Sequence, residues 1–380
     1  MRTQRYRRHD LIDWFSQDEV SAARIAVVGA GAVGNEVVKN LALLGVGGID
    51  VFDFDEVEAH NLTRSILLRE SDAGRNKAEA VAERARDIDP NIRVRAVPGD
   101  FWDKLSLRAL QGYDCIVAAV DNFEARLRLN QMCLITGVNL VNAGLDSRWA
   151  SVESFPYGSV EDAACYECTL PDSAYARIAE RYSCGGLRRR ARIERRIPTT
   201  AVTASVAGAL AASVALRFGE EDAPTRSRRT LVDTLGGTAG TVSIERREGC
   251  PGCDAHRDAA QVIRTRNCWV RPEGAAAMDG SVLDQPLRLS DALIASYECA
   301  ACGPLEDSAR YLNHRADEFD DSIATCPVCA APTVRVGIRD TFALGELIER
   351  FGRRPVPAKF ALAEMDGRLV CFDFEEDTGP

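Results

Sequence analysis

Histidine is scarce. The 380 residues hold four, His9, His60, His256 and His314, and none sits in a pattern that suggests the acid or base of a hydride transfer. Positive charge is not in excess either. The formal net charge is −10, which argues against a general nucleic-acid binder. No apolar run near the N-terminus resembles a leader; the chain opens MRTQRYRRHD, so a cytoplasmic location is expected. The longest apolar helix candidate, Thr200 to Phe218, is Ala-rich and carries Thr and Ser. It reads as a buried packing helix and not a membrane span. The last third has no rhodanese-type or hydrolase-type motif.

Cysteine, by contrast, is abundant. Eight of the thirteen cysteines fall in four C-x-x-C pairs. In a reducing compartment that spacing means metal before it means disulfides. Cys165/Cys168 and Cys250/Cys253 lie over eighty residues apart, each with a turn-forming spacer, and together suit a closed tetrahedral zinc site. Cys299/Cys302 and Cys326/Cys329 enclose a polar, acidic stretch with zinc-ribbon spacing. Four thiolates leave no open position for water, so both sites are expected to be structural.

The informative stretch runs from Ile25 to Lys77. Arg24 to Val28 is a β-branched apolar run, expected as a buried parallel strand. Gly29, Gly31 and Gly34 then form G-x-G-x-x-G before a helical pattern from Asn35 to Leu44. A strand, a glycine turn and a helix N-terminus present bare N–H groups to a phosphate. A second strand, Gly48 to Phe54, leads into Asp53 and Asp55, and Asp53 lies where a ribose-binding acid belongs. These features fit NAD enzymes and ATP enzymes alike. The polar residues that follow discriminate. Asn61, Arg64 and Lys77 come at short offsets in EAHNLTR and GRNK. A dinucleotide dehydrogenase has no use for such a cation cluster, whereas a triphosphate does.

These motifs resemble the ThiF/MoeB/HesA adenylating enzymes, the core shared with ubiquitin-activating enzymes. The resemblance implies that Asp53 binds ribose and that Asn61, Arg64 and Lys77 hold the phosphates of ATP. It covers roughly residues 1–255. The N-terminal R-Y-x-R-H pattern, at Arg5, Tyr6, Arg8 and His9, is part of it. Arg8 would reach the phosphates of a neighbouring subunit, which implies a homodimer. By composition alone, residues 1–23 are a surface helix with solvated arginines.

Further along, the apolar strand Asp114 to Val120 ends in Asp121-Asn122 at the carboxyl end of a sheet, where ligands bind. The resemblance gives Asp121 a Mg²⁺, with Asn122 beside it. Capping of the next helix is the other reading for Asp121. Residues 184–198 form the expected crossover loop, and Leu187 to Ile197 holds six arginines. That run is either a solvated face or the receiver of an acidic or extended protein tail. Cys184 is either the thiol that takes up the activated carboxylate or an ordinary loop cysteine.

The expected fold is α/β: a Rossmann-like, mostly parallel sheet extended by antiparallel strands. Residues 256–380 form a smaller α+β unit with the zinc ribbon, Phe360 to Phe374 being a hairpin that turns at Asp366-Gly367. The expected reaction is adenylation of the C-terminal carboxylate of a ubiquitin-like or sulfur-carrier protein ending in Gly-Gly. Transfer to a thiol, or to a downstream conjugating or sulfur-transfer protein, would follow. The competing readings are an NAD(P)-dependent oxidoreductase, adenylation of a short peptide, and a non-catalytic scaffold.

Overall fold

The computed structural model describes residues 2–171, 173, 199–219, 224–257, 259–267, 283–305, 312–318, 325–331 and 334–375. The chain divides into two compact units. The first holds residues 1–170 and 196–257, the second residues 171–195 and 258–380.

The first unit is built on an eight-stranded sheet. Its strands are β1 (Arg24–Val28), β2 (Gly48–Asp53), β3 (Arg93–Pro98), β4 (Cys115–Ala118), β5 (Asn139–Leu145), β6 (Trp149–Phe155), β7 (Arg228–Asp233) and β8 (Thr238–Ser243). They lie in the order β3-β2-β1-β4-β5-β6-β7-β8. The first five in that order are parallel and the last three are added antiparallel. The strand order reverses between β1 and β4, which opens a crevice at their carboxyl ends.

The helices that pack on this sheet include α1 (Ala32–Leu44), α2 (Lys77–Ile88), α3 (Phe123–Thr136) and α4 (Ala201–Leu216), and the short α5 (Pro251–His256) closes the unit. One face of the sheet carries the main core: Val27, Val51, Val117, Val141 and Val152 pack with Val37 and Leu41 of α1, Val81 of α2 and Ala207 and Ala211 of α4. The alanines of α4 serve close packing. A Cβ on its Gly208 would stand 2.3 Å from the Cβ of Glu36 in α1, and Ser205 Oγ donates to Glu36 at 2.8 Å. No helix among the described residues is long and apolar enough to cross a membrane. The other face receives α3, which packs on β4 and β5 and against α5.

The N-terminal segment departs from the single helix expected over residues 1–23. It is a short helix, Arg2–Arg5, a turn at His9–Leu11 and a second helix, Gln17–Ala22. Tyr6 is the reason. Its ring is buried against Gly45, its hydroxyl bonds the buried Asp89 carboxylate, and Arg5 Nε lies 3.4 Å from the same carboxylate. The chain must turn to deliver Tyr6. A new helix then starts where Ser16 accepts from Glu19 N at 3.3 Å.

Cys165, Cys168, Cys250 and Cys253 converge with all four sulfurs within 4.8 Å of one another. Adjacent pairs stand 3.6 to 3.9 Å apart, close to the roughly 3.8 Å that tetrahedral Zn–S bonds of about 2.3 Å require. Backbone N–H groups of Cys165 and Arg247 point at Cys168 Sγ, at 3.4 and 3.5 Å, and help carry thiolate charge. The set ties α5 to the turn that follows β6.

The second unit centres on the long strand β10 (Pro286–Cys299). With β9 (Ala259–Arg266), β11 (Gly303–Pro304), β12 (Val334–Ala343), β13 (Phe360–Met365) and β14 (Arg368–Glu375) it makes a six-stranded sheet. Helix α6 (Leu344–Phe351) lays Leu347 and Phe351 on Leu287, Leu293 and Phe342. The β13–β14 hairpin turns at Asp366 and Gly367, both at positive φ, 52° and 72°, as a two-residue hairpin turn demands. Cys299, Cys302, Cys326 and Cys329 form the second four-sulfur set. Ala301 N and Val328 N each lie 3.4 Å from the Sγ two residues back. The amides of Ala301 and Cys302 pull the Cys299 thiol down to about 6.

Two outcomes follow from this framework. Replacing Cys165 by Ser should release bound zinc and lower the unfolding midpoint, with activity lost only as a consequence; metal content by atomic absorption alongside thermal unfolding checks this. A stable, fully zinc-loaded but inactive variant would contradict a structural role. Gly34→Ala should destabilise, because its Cβ would stand 1.8 Å from Gly29 O. Overpacking of this kind costs about 1–3 kcal/mol, read as a shift in the urea midpoint.

Candidate functional site

The glycine turn is shaped by backbone approach. Gly29 has φ +98°, and a Cβ there would lie 2.6 Å from Ala119 O, just past β4. Gly34 must be glycine so that α1 can pack on Gly29. Gly31 is different. Its φ of −72° suits any residue, and a Cβ there would meet nothing within 4 Å. Two of the three glycines answer to the fold, and the third leaves open space at the N-terminus of α1.

Asp53, the last residue of β2, turns back onto this loop. Its Oδ2 accepts from Ala30 N at 2.6 Å and its Oδ1 from Asp55 N at 2.8 Å. Burial raises its pKa, against the pull of those two amides and of Lys77. Lys77 opens α2 and is nearly buried; its Nζ lies 2.7 Å from Asp55 Oδ2. Asn76 holds it there. The Asn76 carboxamide caps α2 by accepting from Ala78 N and Glu79 N, and donates to the Asp53 and Asp55 carbonyls at 3.0 and 3.2 Å. An Asn immediately before a helical pattern is a cap signal that could have been read in the sequence.

Asn61 and Arg64 sit on the loop between β2 and α2. Asn61 is buried, and its Oδ1 accepts from Glu58 N at 2.9 Å. Arg64 Nη1 donates to His60 O at 2.7 Å. Asn35 ties this loop to the glycine turn. It is fully buried, donates to Ala30 O at 2.6 Å and Gly31 O at 3.1 Å, and accepts from Leu67 N at 2.9 Å. Sequence reasoning missed Asn35, which carries no motif signal inside a helix. It also missed the buried Asp72, whose Oδ1 takes Arg75 at 2.9 Å and whose Oδ2 takes Arg69 N at 2.9 Å to close the same loop.

On the other side of the crevice, β4 runs into Asp121 and Asn122, both exposed. The cap of α3 is Asn122, whose Oδ1 accepts from Ala125 N at 2.8 Å. The capping role weighed for Asp121 therefore belongs to its neighbour, and the Asp121 carboxylate is not consumed by it. Arg126 braces this end: its Nη2 donates to Val120 O at 2.6 Å and to Ala143 O at 2.8 Å.

Glycine turn, Asp53, Asp55 and Lys77 are thus in direct contact, with Asn61 and Arg64 linked through Asn35 and Asp121 one strand away. Arg8 is not with them. Its segment is anchored at Asp89, beyond the far end of α2 from Lys77, a helix length of about 18 Å. Cys184 and the arginine run lie outside the described residues.

The ThiF family model matches residues 4–252. The sulfur carrier protein adenylyltransferase of Thermus thermophilus is 30% identical over 243 residues, covering 62% of this chain and 84% of that protein. The SAMP-activating enzyme E1 of Haloferax volcanii is 33% identical over 172 residues, 44% of this chain and 62% of its own length. Among solved structures, E. coli MccB with ATP is 25% identical, with a TM-score of 0.53 over 66% of this chain and 73% of that one. With the family model matching well over half of its length, this chain belongs to the ThiF family.

Proposed function

We propose that this chain uses Mg-ATP to adenylate the C-terminal carboxylate of a ubiquitin-like or sulfur-carrier protein ending in Gly-Gly. The observation that carries this reading is the contact set beside the glycine turn: open space at Gly31, an acid from β2 on the turn, and Lys77 paired with Asp55, with Arg64 on the loop between β2 and α2. The names of the Thermus and Haloferax relatives support the carrier substrate.

In this reading Asp53 takes the ribose hydroxyls. The bare amides of the turn and the N-terminus of α1 take phosphate oxygens. Lys77, Arg64 and Asn61 hold the triphosphate. Asp121 fits Mg²⁺, since its carboxylate is exposed at the strand end and Asn122 does the capping; the ion supplies charge neutralisation when bound. A carboxylate oxygen of the carrier attacks the α-phosphorus, the bond to the β-phosphate oxygen breaks, and pyrophosphate leaves. The nucleophile belongs to the substrate, so the protein supplies position and charge.

Residues 1–255 are assigned to adenylation and 256–380 to a zinc-stapled partner-binding unit. Anchoring of Arg8 away from its own chain's Lys77 supports its action on a partner subunit's site, hence a homodimer. Reduced, zinc-spaced thiols support a cytoplasmic setting. Cys184 is the candidate thiol for a thioester with the activated carrier. A downstream conjugating or sulfur-transfer protein would then receive the acyl group.

Asp121→Ala should abolish carrier-dependent ATP–pyrophosphate exchange with an unchanged circular dichroism spectrum; retained exchange would remove the metal assignment. Gly31→Ala should leave the urea midpoint unmoved and weaken Mg-ATP binding about tenfold, or 1.4 kcal/mol, by calorimetry. Binding of NAD or NADP without ATP in the same titrations would replace this reading with an oxidoreductase.

A further inference from the structure

The loop between β2 and α2 carries a histidine to which no motif gives a role. His60 lies in the turn Ala59–Asn61, and two groups assigned to the phosphates bond to it. Asn61 Nδ2 lies 3.2 Å from His60 Nε2. Arg64 Nη1 donates to His60 O at 2.7 Å. On the other edge of the ring, Nδ1 lies 3.0 Å from Glu58 Oε2. The side chains of His60 and Glu58 are 43% and 66% exposed, whereas Asn61 is buried.

Donors and acceptors fix the state of this ring. A backbone N–H can only donate, and Glu58 N lies 2.9 Å from Asn61 Oδ1. That atom is therefore the carbonyl oxygen of the carboxamide, and the one facing His60 is its NH₂. An NH₂ group of this kind only donates. His60 Nε2 must accept, so it carries no proton. The neutral ring then keeps its hydrogen on Nδ1, which donates to the Glu58 carboxylate. Among the described residues His60 Nε2 is the one hydrogen-bond partner of Asn61 Nδ2, and it uses one of the two hydrogens there.

We propose that His60 is a positioning residue for the nucleotide. Glu58 holds the imidazole at Nδ1, Nε2 takes one hydrogen of the Asn61 carboxamide, and the second hydrogen is left for a phosphate oxygen. The carboxamide is thereby fixed at both its oxygen and its nitrogen before the ligand arrives, which lowers the ordering cost of binding. The carbonyl of the same residue holds Arg64. This rests on the adenylation reading, in which Asn61 and Arg64 hold the triphosphate, and deepens it by naming what orients them.

The test uses the full chain and the variants His60→Gln and His60→Leu. The two replacements are of similar size, but only glutamine can accept a hydrogen bond from Asn61. Nitrogen-15 NMR of the imidazoles at pH 8, where an ordinary histidine is neutral, should show His60 protonated at Nδ1 and bare at Nε2; with four histidines in the chain, the spectrum of each variant identifies its signal. Calorimetry should show Mg-ATP binding about fivefold weaker in His60→Leu, the worth of one hydrogen bond, and most of that loss recovered in His60→Gln. A proton on Nε2 would overturn the assignment. So would equal Mg-ATP affinities in the leucine and glutamine variants, since packing alone would then account for any change. A wild-type chain that binds no Mg-ATP would overturn the adenylation reading and the positioning role with it, while the tautomer is read without any nucleotide present.

Discussion

The backbone of the glycine turn lies against the backbone just past β4, with no room for a side chain between them. Gly29 meets Ala119 there, and Gly34 lets α1 close on the turn. Everything at the site inherits this contact. It sets the direction of α1, so that the helix N-terminus faces the crevice. It brings the end of β4, and hence Asp121, beside the turn. It also places Ala30 N where Asp53 can accept from it. A larger residue at either glycine would displace several functional groups at once.

A second constraint keeps the long loop between β2 and α2 in register with that turn. The loop has little regular structure, so its polar groups must be satisfied individually. Asn35 fixes its middle, Asp72 its end, and Asn76 the start of α2. These carboxamides and the carboxylate are buried or nearly so, and each makes more than one hydrogen bond. A half-satisfied network of this kind would be unstable. Fully paired, it fixes the loop that carries Arg64 and the helix start that carries Lys77.

The sequence made part of this legible, for physical reasons. Glycines demanded by backbone approach leave a fixed spacing, and β-branched runs mark buried parallel strands, so the sheet, the turn and Asp53 could be read. The cysteine pairs announced both four-sulfur sets, and Asp366-Gly367 the hairpin. What could not be read depends on partners far apart in the chain. Tyr6 reaches Asp89, which broke the expected N-terminal helix in two. Asn35 reaches Leu67 from inside α1. Strand β9 pairs in parallel with β14 at the other end of the second unit, and no local pattern specifies such a pairing. Helix α6 begins only at Leu344, because the preceding residues complete the pairing of β12 with β10.

Positions where the fold's own requirements fall short point back to chemistry. Most buried polar groups here have identifiable partners, and most constrained glycines have a backbone or side chain pressing on them. Gly31 and Asn142 break the rule in opposite ways. Gly31 is a glycine with free space around it and an unstrained φ. Asn142 is a buried carboxamide without a hydrogen-bond partner among the described residues. A fold optimised for stability alone would carry a capping side chain such as Ser or Asp at the first, the N-cap of α1, and an apolar residue at the second. Both lie at the carboxyl ends of the central strands, on either side of Asp121. On the adenylation reading, a triphosphate would fill the space at the turn.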